Sequence, residues 1–458
     1  MTECEDPDEA VEAPDFETLE EHFLSARRDH ERQQARTVAR ILGVDRTATV
    51  SVIVPEYYGE LLAWALHRYI GDGGWGTVNT IGYRSPRPMY IDVDTGDGQR
   101  VNVLRDGTIF LERDALRLAV TASISRNDLA QVIVTGPADV EEQVRSFAGG
   151  VESTARDHNF YRGRNVVFTR YLKFIDVPEI SWEDIVLDDD AVNEAWSNTV
   201  AFLRNRERLA RYGLPAKRGL LLVGKPGTGK TLLCKALMSD SAGITCLLAQ
   251  TRNFHIDDYA VYLYEVAQDL APCIVFIEDI DLIARDRIEW GYDGSSALET
   301  LLSVLDGMEE TREIVTVATT NHLETLDRAI GARPSRFDRV IEVPCPSPEQ
   351  RRMLVASLCR RIPLDERVQA RIAARTEGFT PAQIQEVLYT LAIGFGQDGD
   401  DDGTPPLAVS VEQVDRAISG VRGGNRHPIG FPLGASRAEG TARGGIGVNG
   451  GNGKEARR

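Results

Sequence analysis

The chain has 458 residues, 42% hydrophobic and 27% charged, which is room for two or three ordinary domains with real cores. Its formal net charge of −18 argues against general attraction to nucleic acid or an anionic membrane, while leaving room for a local basic pore. No run approaches the ~18 apolar residues of a membrane span, the first residues are acidic rather than basic-then-apolar, and the six cysteines lack C-x-x-C spacing; together these predict a cytoplasmic protein with reduced thiols.

In chain order, residues 1–20 are expected to form an acidic disordered tail, since they carry many like charges and little to bury. Residues 21–175 predict a small α+β domain with a leading helix. Phe16, Leu19 and Phe23, then Val38, Ile41 and Leu42, recur at helical spacing around an Arg-rich middle. Thr49–Val54 reads as a strand and Tyr57–Ile70 as a helix, followed by short strands near 77–83, 88–94, 99–104 and 108–112 with Gly-rich turns between them. A strand near Gln131–Thr135, a helix from Ala138 to about His158 and the apolar Val166–Phe168 complete the domain. The Asp92–Gly98 stretch resembles a calcium loop, but Gly96, Asp97 and Val103 occupy positions where ligands or the turn glycine belong, so it predicts a hairpin turn. This domain holds no catalytic constellation and is assigned to binding a partner or substrate.

Residues 176–346 predict a different architecture. A connector beginning at Pro178 leads through an amphipathic helix around 190–210 into buried strands near 219–223, 244–249, 273–277, 314–319 and 339–343, alternating with helices. Such alternation means α/β with a doubly wound parallel sheet, whose ligands sit at the C-terminal strand ends. Residues 347–420 turn helical and predict a C-terminal helical lid, interrupted by a solvated acidic loop, Asp398–Asp402. Residues 421–458 are Gly-rich and are expected to be a flexible tail; Arg422 and Arg443, each followed by two glycines, are too sparse to predict RNA binding.

Four stretches carry chemistry. Gly224-Lys225-Pro226-Gly227-Thr228-Gly229-Lys230-Thr231, between an apolar strand and a helix beginning near Leu232, is a phosphate-binding loop. Its glycines let the backbone close on an anion, and its N–H groups and the helix dipole point there. Lys230 would reach the β and γ phosphates, and the Thr231 hydroxyl would join the shell of a Mg²⁺ ion, so the expected ligand is a nucleoside triphosphate. Lysine is scarce, with six in the chain, which makes the match specific. Second, Cys273–Ile277 delivers Glu278 and Asp279 to a strand end beside the loop. Glu278 would hold the metal ion through its waters, and Asp279 would orient the attacking water. Third, Ile314–Thr320 ends in Asn321, whose amide could sit between the γ phosphate and that water. Fourth, Arg333, Arg336 and Arg339 precede or begin the last strand, where a guanidinium suits the charge of a transferring phosphoryl group or else pairs with Asp338 or Glu342.

In this order and spacing the four motifs resemble the AAA ATPases, ring-forming P-loop NTPase motors, over about residues 178–420. Ser181-Trp-Glu-Asp-Ile185 and Glu377-Gly-Phe379-Thr-Pro-Ala-Gln-Ile384 are similar to the family's connector and lid motifs. The resemblance implies that Lys230 and Thr231 are the Walker A pair, Glu278 and Asp279 the Walker B acids, Asn321 the first sensor, and Arg336 and Arg339 fingers reaching a neighbour's ATP in a homo-oligomeric, usually hexameric, ring. Glu278 before Asp279 reverses the family's usual order. That reversal, with Leu247-Leu-Ala-Gln-Thr251 and the lid motif, resembles the branch containing the mitochondrial Rieske-protein translocase, without its membrane helix. The loop Gln250–His255 lacks the aromatic-apolar-Gly triplet with which relatives grip a threaded chain, and the Asp327–Arg336 segment is one residue longer than usual. The implied function is an ATP-hydrolysing ring that remodels or displaces a protein partner. A nucleotide-gated scaffold with little hydrolysis and a nucleic-acid motor are the alternatives.

Overall fold

The computed structural model describes residues 32–124, 129–214, 217–256, 258–283, 295–307, 313–323, 337–360, 362, 364–395 and 409–424. Their contacts divide the chain into two compact units, one of residues 1–354 with 377–382 and one of the remainder.

The first unit holds two sheets built on different rules. The first is antiparallel, in the order β1 (Thr47–Val54), β6 (Ala130–Pro137), β5 (Leu116–Ser123), β4 (Arg100–Arg113), β2 (Gly76–Ile81), with β3 (Met89–Asp94) also on β4. Its residues alternate between a buried face and a more open one, as in β6, where Ala130, Val132, Val134 and Gly136 are buried and their neighbours only partly so. Helices Gly59–Asp72 and Glu141–Asp157 cover the buried face, bringing Leu62, Leu66 and Val144 onto Val120 and Val134 in one apolar cluster. On the opposite face, helical residues 32–42 seat Val38 and Leu42 against Phe110 and Ala119.

Two expectations are corrected here. The segments 99–104 and 108–112 form one strand, β4, because Gly107, at φ +156°, carries the chain through without a turn. The partner strand β5 was not foreseen: its turn is Asp114-Ala115, both at positive φ, which carries no glycine to announce a hairpin. The Asp92–Gly98 stretch is a hairpin turn between β3 and β4, in which Asp94 Oδ1 accepts from Gly96 N at 2.9 Å and Asp97 Oδ1 from Thr95 Oγ1 at 2.6 Å.

The second sheet runs β13 (Arg339–Glu342), β9 (Lys217–Val223), β12 (Ile314–Thr320), β11 (Cys273–Ile277), β10 (Thr245–Ala249), β7 (Asn165–Phe168), β8 (Leu172–Phe174). Every pair is parallel except β7 with β8. β7, grouped with the N-terminal domain on sequence, instead extends this sheet: Val166, Val167 and Phe168 are buried beside β10. The predicted helix 190–210 is three short ones, Asp189–Asn198, Val200–Arg204 and Arg206–Arg211.

The two sheets share one apolar cluster. At their seam Phe168 stacks on Tyr259 with ring centroids 5.3 Å apart, and meets Tyr57 edge-on at 5.6 Å. Tyr259 Oη donates to Phe168 O at 2.6 Å, and Arg162 donates to Asp269 O at 2.8 Å.

The second unit is helical and includes Glu366–Arg375 and Val411–Gly424. Arg371 Nε donates to Asp415 Oδ1 at 3.1 Å across these two helices. Arg422, read on sequence as the start of a flexible tail, lies in the second helix and donates to Arg375 O at 3.2 Å. The acidic loop 398–402, the tail beyond 424, including Arg443, and residues 1–31 lie outside the described residues.

Candidate functional site

The site forms where β9, β11 and β12 end together. Their register sets Val223 beside Thr320 and Ile277 beside Ala318, so the residues that follow each strand emerge at one edge. β9 passes through Gly224–Gly229 into the helix Lys230–Ser239. Two glycines in this turn are required by the backbone: Gly227 has φ +81° and Gly229 φ +107°. Gly224 is required by space, because a Cβ there would lie 2.4 Å from Val343 O. Thr228 is buried, its Oγ1 donating to Lys225 O at 3.0 Å, while Lys225, Pro226, Thr231 and Leu232 are exposed.

Lys230 is buried, with 6% of its surface exposed. Its ammonium donates to Gly224 O at 2.7 Å, Lys225 O at 3.2 Å and Asn321 Oδ1 at 2.7 Å. Burial holds its pKa below the ordinary lysine value, opposed by the nearby charges of Asp279 and Asp281. Asn321 uses its other end as well: Nδ2 donates to Asp279 Oδ1 at 3.0 Å. A single side chain thus links the loop lysine to the predicted water-orienting acid. Asp279 has φ +51°, and its N–H donates to Thr319 Oγ1 at 2.9 Å. Glu278 and Asp279 are both half-buried at the mouth of the strand.

Asp281 is the residue that sequence reasoning left without a role. It is 2% exposed, and its Oδ1 accepts from Thr320 Oγ1 at 3.1 Å and Asn321 N at 3.3 Å. It therefore fixes the end of β12 and aims Asn321. The available signal was a third acid two residues after Asp279, one helical step inward from the strand end.

The structure joins Lys230, Asn321 and Asp279 through hydrogen bonds, with Glu278 next to Asp279 in the chain, and Arg339 stands apart from them. Arg339 begins β13 with its side chain exposed, 3.9 Å from Glu194 rather than paired with Asp338 or Glu342. Asp338 Oδ2 instead accepts from Gly219 N at 2.9 Å. Arg336 and Arg333 lie outside the described residues. The lid motif reaches the loop: Ala382 N donates to Gly227 O at 3.3 Å. In the loop after β10, Phe254 is buried edge-on to Tyr259, ring centroids 5.0 Å apart.

These residues fit a triphosphate and its metal ion. A buried ammonium held by neutral oxygens is suited to exchange them for an anion, and the exposed Thr231 hydroxyl and half-buried Glu278 offer hard oxygen donors of the kind Mg²⁺ takes. Among the described residues no group of three or more His, Cys, Asp or Glu is placed to hold a metal without such a ligand. Thiols nearby are not reactive candidates: burial pushes Cys234 and Cys273 up, and Cys246 to about 12. The five described cysteines are free.

A glycine-rich strand-to-helix turn, its lysine and acids from neighbouring parallel strands define a P-loop NTPase fold. Residues 220–345 match the family model described as ATPase family associated with various cellular activities (AAA), and this segment of the chain is an AAA domain. Among curated proteins, ATP-dependent zinc metalloprotease FtsH 3 of Sorangium cellulosum is 37% identical over 238 residues, 49% of this chain and 38% of that protein. Proteasome-activating nucleotidase of Sulfurisphaera tokodaii is 32% identical over 234 residues, 49% of this chain and 59% of that protein. The chain thus spans between about two fifths and three fifths of the length of these two relatives. Among the described residues no helix is long and apolar enough to cross a membrane.

Proposed function

We propose that this protein is a Mg²⁺-dependent ATPase that assembles as a homo-oligomeric, hexameric ring in the cytoplasm and uses hydrolysis to remodel or displace a protein partner. The observation that carries the reading is the hydrogen-bonded chain Lys230–Asn321–Asp279 at the C-terminal ends of β9, β12 and β11. Bound Mg²⁺ supplies charge stabilisation of the phosphoryl oxygens. Lys230 holds the β and γ phosphates, exchanging its loop carbonyls and Asn321 for them. Thr231 and Glu278 hold the metal shell. Asp279 accepts a proton from, and orients, the attacking water, with Asn321 keeping its carboxylate in place and Asp281 keeping Asn321 in place. Arg336 and Arg339 act in trans, on a neighbour's nucleotide.

Supporting ATP and a protein object are the names of the relatives, one an ATP-dependent protease and one a proteasome-activating nucleotidase. The partner is assigned to the N-terminal sheet domain, and the buried Phe254 supports displacement over threading, because the loop's aromatic is committed to the core.

The test is phosphate release per chain against protein concentration, with Lys230→Ala as blank. A rate that rises steeply and saturates supports a ring completed by neighbouring arginines; Arg339→Ala then lowers turnover roughly 10³-fold or more without moving the melting temperature, since an exposed pair at 3.9 Å contributes ~0–1 kcal/mol. ATP binding without turnover at any concentration would replace this reading by the nucleotide-gated scaffold. Turnover that requires DNA or RNA would replace it by the nucleic-acid motor.

A further inference from the structure

The connector that leads into the parallel sheet is fastened to the far end of the phosphate-loop helix by one carboxylate. Asp240 closes the helix Lys230–Ser239, its N–H bonded back to Ala236 O and Met238 O. A carboxylate at this end opposes the helix dipole, so it needs donors of its own. It has three. Trp196 Nε1 donates to Asp240 Oδ2 at 2.7 Å and Trp182 Nε1 to the same oxygen at 3.4 Å. Arg204 donates to Oδ1 at 3.2 Å and to the Asp240 carbonyl at 2.6 Å. One residue earlier, Ser239 Oγ accepts from Ile180 N at 3.1 Å.

The same connector also reaches the helix's other end. Leu187 packs so close to Gly229 that a Cβ on the glycine would lie 2.6 Å from Leu187 Cδ2. Its carbonyl accepts from Gln350 Nε2 at 2.8 Å. Between these anchors Trp182 and Ile185 pack on the apolar cluster of Leu233, Leu237 and Met238. Residues 180–187 therefore run the length of the helix, roughly 15 Å for ten residues, from the carboxylate to the phosphate loop. Indole N–H groups donate only, and both tryptophans find their acceptor in the same oxygen, Asp240 Oδ2. The donors to the Asp240 carboxylate, Trp182, Trp196 and Arg204, belong neither to the phosphate loop nor to the strand-end acids.

We propose that Asp240 is a positioning residue for the nucleotide: by holding Trp182 and Trp196 it sets where the connector lies along the phosphate-loop helix, and so where Leu187 supports Gly229. The inference rests on the ATP-binding reading above. It makes the two indoles reporters at one end of the helix of what is bound at the other.

The test uses the full chain with Mg²⁺ and ATP. Asp240→Asn keeps the size of the side chain but removes the charge that strengthens all three donors' bonds. KM and Kd for ATP are expected to rise about tenfold, the scale of losing a charged acceptor, while kcat at saturation stays within about twofold. Tryptophan emission, expected to shift on ATP addition to the unaltered protein, should no longer respond; Asp240→Glu, which restores the charge, should recover part of the affinity. If Asp240→Asn does not fold, Trp196→Phe removes the 2.7 Å donor alone and should raise KM about threefold. A lowered melting temperature with unchanged KM in the asparagine variant, or unchanged KM in the phenylalanine variant, would overturn the proposal and leave Asp240 a structural cap. Absence of ATP binding by the unaltered chain, equal to Lys230→Ala, would overturn the nucleotide reading itself.

Discussion

The two sheets of the first unit bury polar side chains for opposite ends. In the antiparallel sheet buried polar groups are met one at a time: Thr108 and Thr121 share a bond of 2.8 Å, Asp106 Oδ1 accepts from Arg84 N at 2.8 Å, and Ser123 Oγ is buried without a hydrogen-bond partner among the described residues. In the parallel sheet β11 and β12 are buried along their whole length, with no open face on which polar groups could sit. Apart from Thr316 within β12, whose Oγ1 shares a bond of 2.8 Å with Tyr264 Oη, polarity gathers at the strand ends, where Lys230, Asp281, Thr319 and Thr320 are all buried within one network with Asn321 and Asp279. A sheet buried on both faces concentrates its chemistry at an edge; a sheet alternating between faces spreads it and neutralises it locally.

Four measurements would break or sharpen that contrast. The largest effect is expected at the parallel sheet's edge: Asp279→Asn should lower ATP turnover by about 10²–10⁴-fold with little change in melting temperature, measured by phosphate release beside calorimetry. The antiparallel sheet should answer in stability instead. Leu62→Ala, at a fully buried position against that sheet, is expected to cost about 2–5 kcal/mol in denaturant titration, with kcat of the folded fraction unchanged. A change at the seam should fall between the two kinds: Tyr259→Phe removes the bond to Phe168 O and should cost about 1 kcal/mol. The smallest effect is a pH slope. Because the folded pKa of Lys230 lies below 10.5, the unfolded chain keeps a proton that the folded chain has released as pH rises between the two values, so stability rises with pH in that window. Lys230→Met should flatten this slope and raise the nucleotide-free melting temperature below it. An unchanged slope would mean that the ammonium is held without penalty by its three oxygens.

Much of the parallel sheet was legible because its signals are local. Gly224–Thr231 needs glycines at particular turns, and buried five-residue strands such as Cys273–Ile277 end visibly in acids. The Asp281 role was not legible, because it depends on β12 lying beside β11 and presenting Thr320 and the Asn321 N–H to one oxygen. The antiparallel sheet was read less well for the same reason. Its strand β5 is fixed by pairing with β4 and β6, and the Asp114-Ala115 turn adopts left-handed backbone with an alanine where a glycine usually follows the aspartate. Likewise Val166–Phe168 reads as an apolar strand in either sheet, and only its partner β10 decides which.

The left-handed backbone at Asp279 gives the order of the two acids a meaning beyond side-chain length. Short Asp and Asn tolerate that conformation far better than longer residues do. In this chain the shorter acid therefore stands where the main chain is most demanding, and the longer one on the residue before it, outside that turn. Exchanging Glu278 and Asp279 would move one methylene, but it would also set a longer side chain on a backbone suited to a shorter one. The reversed pair is thus matched to its turn.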